Sequence, residues 1–199
     1  MTRVAIVYDT VSGSTAEMGE VLHAALQGPF GVARMPIVEV TSLAEYDAVV
    51  IGSPMRFGGF TPTAERFIRR HRAELERKKV AYFFSMLYVV RIAEEGGPGV
   101  LPYIDPGLAM ATIPRKRATI MDRTHSLDYF ERQRRRSAPG IQPVSVAYFK
   151  GRLNVRRLPL KERLFMRIVT SLTSKEREGE FMNPSSVKGW AAELQRALA

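Results

Sequence analysis

Arg3-Val-Ala-Ile-Val-Tyr-Asp-Thr-Val-Ser-Gly-Ser-Thr15 opens the chain with an unbroken apolar run, Val4 to Tyr8, that gives way to a short hydroxyl-rich turn. Apolar side chains at consecutive positions over so short a span read as a strand buried on both faces. Ser14–Gln27 follows with Met18, Val21, Leu22, Ala25 and Leu26 at helical spacing, so strand, loop and amphipathic helix succeed one another directly.

Working outward, 33–40 is a second strand candidate, and Pro36 inside it places it at a sheet edge, where a missing donor is tolerated. Asp47–Ser53 is a third strand, buried like the first. Thr61-Pro62 supplies an N-cap and a first-turn proline for a helix through about Glu74, which leads into a fourth strand, Val80–Ser85. Pro143–Phe149 is a fifth, and Asn183-Pro184 starts a closing helix through Leu198 with Val187, Trp190, Ala191 and Leu194 on one face. Strands alternating with helices predict an α/β fold with a five-stranded parallel sheet of order 2-1-3-4-5 between helical layers. Two insertions interrupt it, at about 91–123, rich in proline and glycine, and at 150–183. A short helix is expected around Leu127–Arg136. All 199 residues fit one domain of this kind.

Composition closes several routes. There is no cysteine, so disulfides, thiolate catalysis and cysteine-ligated metals are excluded. His23, His71 and His125 match no metal-ligand spacing and are expected to be solvated or capping residues. No apolar run approaches the ~20 residues of a membrane span, and no leader pattern precedes the first strand. A cytoplasmic protein is expected, with the inner face of the cell membrane as a possible resting place. The net charge of +10 favours an anionic partner: a lipid surface, a carboxylated substrate or nucleic acid. No nucleic-acid motif accompanies the charge, which makes that partner the least favoured.

The turn Asp9–Thr15 suits a phosphate monoester. Unpaired N–H groups at a helix start carry partial positive charge, Thr10, Ser12, Ser14 and Thr15 offer hydroxyls, and Gly13 allows close approach. Neither G-x-x-x-x-G-K-[ST] nor G-x-G-x-x-G is present, so a terminal monophosphate fits better than a nucleoside triphosphate or a dinucleotide. An ordinary N-capped turn is the bland alternative. Its place at the first strand's carboxyl end, beside the switch point of the sheet, favours the ligand site.

T-x-S-G-x-T after an apolar strand resembles the FMN phosphate loop of the flavodoxin family. Gly52-Ser53-Pro54-Met55-Arg56-Phe57-Gly58-Gly59 resembles that family's second loop, and Ser85-Met86-Leu87-Tyr88 stands where its third would follow the fourth strand. The resemblance implies FMN held by Thr10, Val11, Ser12, Gly13, Ser14 and Thr15 at the phosphate. Pro54, Met55, Arg56, Phe57, Gly58, Gly59, Ser85, Met86, Leu87 and Tyr88 would surround the ring, with Phe57 stacked on or flanking it.

Within the superfamily the chain resembles the flavodoxin-like, menaquinone-dependent protoporphyrinogen oxidases of bacteria. The likeness is carried by residues 50–58, by Phe67-Ile68-Arg69-Arg70-His71, and by the segment from Ala147-Tyr148-Phe149 through Arg167 to Trp190. Residues 91–123 depart from the pattern in length and in proline and glycine content. The resemblance implies removal of hydride equivalents from protoporphyrinogen IX and their passage to a quinone. Arg56 would be the catalytic candidate, steering an acidic substrate or stabilising reduced flavin, and no side chain is an evident general base. An electron-transfer protein that binds FMN without its own small-molecule substrate is the alternative, although such carriers are typically acidic. A scaffold that has lost flavin is the third.

Leu160, Leu164, Phe165, Ile168, Val169 and Leu172 fall on one helical arc, and residues 150–178 hold nine Lys/Arg against three Glu. Leu160–Leu172 would either rest on anionic lipid and meet a membrane quinone, or pack on the sheet or a second subunit. Arg69-Arg70-His71-Arg72, Arg115-Lys116-Arg117 and Arg132–Arg136 would attract porphyrin carboxylates or form solvated faces.

Overall fold

The structure is a computed structural model that describes residues 1–56, 58–93, 100–152 and 182–199. Phe57, and with it the expected ring contact, lies outside the described residues. So do 94–99 and 153–181, which contain the Leu160–Leu172 arc.

Strand β1 (Arg3–Tyr8) lies between β2 (Gly31–Pro36) and β3 (Ala48–Pro54). Next come β4 (Lys79–Met86) and, after three short strands in sequence, β8 (Pro143–Lys150). All these pairings are parallel. The sheet order β2-β1-β3-β4-β8 is the expected 2-1-3-4-5, and a two-residue strand β6 (Tyr103–Ile104) adds a sixth member beside β8. Pro36 closes β2 at the outer edge, where its lack of an N–H breaks no ladder.

Side chains alternate across this sheet with period two. Val4, Ile6, Ala48, Val50, Ala81, Phe83, Ala147 and Phe149 face one layer, built by α1 (Ser14–Leu26) and the closing helix α6 (Pro184–Leu198). Ala5, Val7, Val49, Ile51, Tyr82, Phe84, Val146 and Tyr148 face the other, where α2 (Pro62–Arg70), α3 (Arg72–Leu75) and α5 (Leu127–Ser137) pack. Burial on both faces is why the strands read as continuous apolar runs rather than alternating ones. On α6, Trp190 is fully buried between Phe83 and Phe149 and donates from Nε1 to Ser145 Oγ at 2.9 Å.

Several expectations need correction. The second strand is 31–36 rather than 33–40: after Pro36 a single 3₁₀ turn, Ile37–Glu39, swings both Ile37 and Val40 into the core. The helix expected to run to about Glu74 breaks at His71, which ends α2 and begins α3. His71 is therefore a capping residue, but a buried one, with Nδ1 2.9 Å from Glu74 Oε1. Ser85 closes the expected strand, but Met86, expected in the loop after it, still belongs to β4, and both are buried.

The described residues of the first insertion hold more regular structure than their composition implies. They contain β5 (Val90–Ile92) paired in parallel with β7 (Ala111–Ile113), then α4 (Ile120–Thr124). Asp105, fully buried, accepts from the N–H groups of Gly107 and Lys150 and so fixes the short β6 against the end of β8. Carboxylate to N–H bonds of this kind replace a ladder where the strand stops. Among the described residues no helix is long and apolar enough to cross a membrane, and no cluster of three or more potential metal ligands occurs.

Candidate functional site

The carboxyl ends of β1, β3, β4 and β8 meet at one rim of the sheet, and the bend at residues 9–14 leaves from it. The Asp9 N–H donates to the Gly52 carbonyl at 3.0 Å, which carries the β1 ladder one residue past the strand. The Asp9 side chain then ties the bend to its neighbours. Its Oδ1 accepts from Thr10 N at 2.9 Å, and its Oδ2 accepts from the Thr61 hydroxyl, the same hydroxyl that caps α2 through Ala64 N. The Gly13 N–H donates to Thr10 Oγ1 at 3.1 Å, and Gly13 itself is left-handed with φ 96°.

Helix α1 makes its first backbone bond from Glu17 N to Gly13 O. The N–H groups of Ser12, Ser14, Thr15 and Ala16 have no hydrogen-bond partner among the described residues. Donors left over at a helix start, strung along a bend and carrying the positive end of the helix dipole, are the arrangement that receives a phosphoryl group. The bend leaves β1 beside the tips of β3 and β4, through Asp9 to Gly52 and Thr15 to Ser85.

The hydroxyls do different work from one another. Thr10 caps Gly13. Ser12 Oγ donates to the Arg152 carbonyl at 3.1 Å. Thr15, fully buried, shares a 3.0 Å hydrogen bond with Ser85 Oγ, and Ser14 is buried beside it. Ser85 thus joins two parts of the site, because its carbonyl also accepts from the Met55 N–H at 2.8 Å. Pro54 ends β3 and Met55 packs half-buried against the core.

Arg56 and Gly59 exchange both backbone hydrogen bonds, at 3.0 Å each, and close a turn that holds Gly58 just beyond β3. Gly58 in that turn has φ 79°, and a Cβ there would lie 2.2 Å from Tyr129 Cε1 and 3.3 Å from the Thr124 carbonyl. The turn therefore rests on α4 and α5. Gly58→Ala should cost about 2 kcal/mol, from left-handed strain plus displacement of the Tyr129 ring. Gly59→Ala, whose Cβ would meet only Gln133 Cβ at 4.0 Å, should stay within about 0.5 kcal/mol of wild type. Urea unfolding of the two variants makes the comparison.

Leu87 and Tyr88 follow β4 and are half-buried. Tyr88 Oη donates to Asp122 Oδ1 at 3.0 Å, tying this stretch to α4. Thr119 and Asp122 form a capping box, in which Thr119 N and Oγ1 both reach Asp122 Oδ2 while Thr119 Oγ1 accepts from Asp122 N. The Thr119 hydroxyl, then its N–H, with Tyr88 and His125 adding, hold the Asp122 carboxyl below its ordinary value against the opposing effect of burial. The Tyr88 hydroxyl is pushed up, first by burial and then by Asp122.

A carboxylate whose native pKa is depressed stabilises the fold above its unfolded pKa, and that contribution fades as pH falls through the native value. Protection factors of the α4 amides, taken relative to intrinsic exchange at each pH, should therefore fall in acid, and Asp122→Asn should flatten that dependence.

The structure brings Thr10 to Thr15, Pro54 to Arg56, Gly58, Gly59 and Ser85 to Tyr88 to one rim. Asp9, Thr61, Asp122, Tyr129 and Arg152 support that rim. Thr61 as an N-cap and the Thr119-x-x-Asp122 capping pattern carry local signals. The contacts of Asp9 with Thr61, of Tyr129 with Gly58 and of Arg152 with Ser12 and Glu17 join residues far apart in the chain, so no spacing betrays them.

A model of the family described as a flavodoxin domain matches residues 5–179. No curated protein matches the chain. Among solved structures, the two-electron reduced flavodoxin of Megasphaera elsdenii aligns at 18% identity and TM-score 0.46 over 73% of this chain and 84% of that one. A flavoprotein of Lactobacillus acidophilus in complex with FMN aligns at 13% identity and TM-score 0.47, over 74% and 93%. Rubredoxin oxygen:oxidoreductase of Desulfovibrio gigas aligns at 16% identity and TM-score 0.47, over all of this chain but 36% of its own. The matched family model, rather than these distant likenesses, carries the assignment.

Proposed function

This chain belongs to the flavodoxin domain family, and from that premise we propose that it is an FMN flavoprotein with a redox role. The observation that carries the reading is the row of N–H groups at residues 12 and 14–16 that have no partner among the described residues, beside the strand tips and the Arg56–Gly59 backbone pair. FMN, when bound, supplies the electron and hydride chemistry. The chain's own residues bind and orient: the bend takes the phosphoryl oxygens, and Met55, Arg56, Gly58 and Gly59 form one wall for the ring. Ser85 keeps bend and wall in register through Thr15 and Met55. Leu87 and Tyr88, anchored by Asp122, border the opposite side.

The finer reading is a two-electron oxidoreductase that takes an acidic substrate such as protoporphyrinogen IX and delivers to a quinone. Its support is the resemblance at residues 50–58 and 147–190 together with the net charge of +10, which attracts a tetrapyrrole bearing carboxylates. Arg56, at the rim of the site, would steer that substrate. The contact with lipid proposed for Leu160–Leu172 belongs to the same reading. A one-electron carrier is the competing reading, and the family match fits it equally well.

Absorption spectra of the purified protein with and without added FMN test the first proposal. The expected result is one FMN per chain with a perturbed flavin spectrum, and a colourless protein that refuses FMN sinks it. Anaerobic turnover of protoporphyrinogen with a menaquinone analogue tests the finer one. Stoichiometric reduction in a single spectral step with quinone-dependent turnover is expected, whereas two resolved steps and no turnover select the carrier.

A further inference from the structure

We propose that Arg152 is a positioning residue that makes the bend selective for a phosphorylated flavin over an unphosphorylated one. The inference rests on the FMN reading of the site.

The chain leaving β8 crosses the bend rather than departing from it. The Gly151 N–H donates to the Met86 carbonyl at 2.8 Å, and a Cβ on Gly151 would lie 3.1 Å from Ser85 Cβ and 3.3 Å from Ser14 Oγ. Backbone therefore lies against the floor of the site. Arg152 comes next and is held at both ends. Its carbonyl takes the Ser12 hydroxyl at 3.1 Å, and its guanidinium Nη2 donates to Glu17 Oε2 at 3.0 Å, one turn into α1. The Arg152 side chain is 17% exposed and that of Glu17 36%, so the pair is shielded on the arginine side and open to water on the other.

Charge at the bend makes the role specific. Asp9 and Glu17 are both carboxylates, and both flank donors that would receive a phosphoryl group carrying nearly two negative charges. Without a cation there, two like charges would oppose the ligand and offset the helix dipole. Arg152 halves that opposition, because it offsets one of the two carboxylates. It neutralises Glu17 directly, and the planar guanidinium has five donors in a fork matched to phosphate oxygens. Its carbonyl also holds the Ser12 side chain on the open face of the bend. The ring has no part in these interactions, so their effect should fall on the phosphate alone.

The test compares FMN with riboflavin, which lacks the phosphate, by quenching of flavin fluorescence on titration with the full-length apoprotein. Arg152→Gln should weaken FMN ~10- to 100-fold, as expected for loss of a charge-assisted contact, while riboflavin changes less than about twofold. Arg152→Lys should restore part of the loss, because the charge returns without the fork. Glu17→Gln should not weaken FMN in the wild-type background and should regain affinity in the Arg152→Gln background. The salt dependence of FMN binding should become shallower in Arg152→Gln. Equal loss for both flavins, or no loss for either, overturns the proposal while leaving the FMN reading intact. Failure of the wild-type protein to bind FMN overturns both.

Discussion

Replacing Glu131 by alanine is expected to remove about 3–5 kcal/mol of folding stability, the cost of leaving a buried charge without its partner. Glu131 and Arg134 lie on the inner face of α5, 3% and 4% exposed, with Arg134 Nη2 2.8 Å from Glu131 Oε2 and Nε in reach of both carboxylate oxygens. Tyr148 Oη also approaches Glu131 Oε1 at 3.4 Å, and the guanidinium carbon sits 5.7 Å from the centre of the Tyr82 ring. Burial pushes both tyrosine hydroxyls well up, so they stay protonated, and neither can replace the carboxylate as a counter-charge. Removing Glu131 thus strands Arg134 between strand side chains and an apolar helix face.

Urea unfolding should show the loss as a shift of the midpoint with little change in slope. The double change Glu131→Leu, Arg134→Met should recover most of the stability, because well-packed apolar groups of similar volume commonly equal a buried ion pair. A single variant within about 1 kcal/mol of wild type would show that water reaches the pair and that α5 is looser than its burial indicates.

Gly52→Ala should be of similar severity, about 3 kcal/mol, by overpacking rather than by lost charge. The added Cβ would fall 2.2–2.7 Å from three atoms of the Phe83 ring on the adjacent strand. That ring cannot retreat freely, because it is fully buried with Trp190 6.2 Å behind it. The carbonyl of Gly52 also receives the Asp9 N–H, so a shift of β3 is transmitted to the start of the bend. Thermal unfolding and FMN titration should both register the change. Gly52→Ala combined with Phe83→Leu should regain stability by making room, whereas a cause unrelated to that ring would leave the double variant worse than either single one.

The elements legible in sequence were those whose signal is local. Val4–Val7, Val49–Ile51 and Val80–Phe84 are buried on both faces, so unbroken apolar runs announced them without alternation. Thr61-Pro62 and Asn183-Pro184 marked helix starts correctly, because a cap acts on the N–H groups two or three residues ahead. The hydroxyl-rich bend was legible for the same reason. Where the reading slipped, distant contacts had decided. Ile37 and Val40 suited a longer second strand, yet burial of both favoured a 3₁₀ turn. Gly107 and the prolines of 100–114 suggested an irregular loop, while Asp105 and Tyr103 used β8 to impose order on it.

By itself the sequence determined the doubly covered parallel sheet, the order of its five principal strands and the hydroxyl-rich bend that leaves the first of them, since periodicity, caps and turn chemistry act over a few residues. Tertiary structure alone decided which side chains stand around that bend. Thr15 meets Ser85, Tyr88 meets Asp122, and Arg152 reaches back to Ser12 and Glu17 across gaps of 34 to 140 residues. Nothing in local preference encodes such meetings: they arise because the strands end at a common rim, where buried polar groups must find partners or lose their hydration uncompensated.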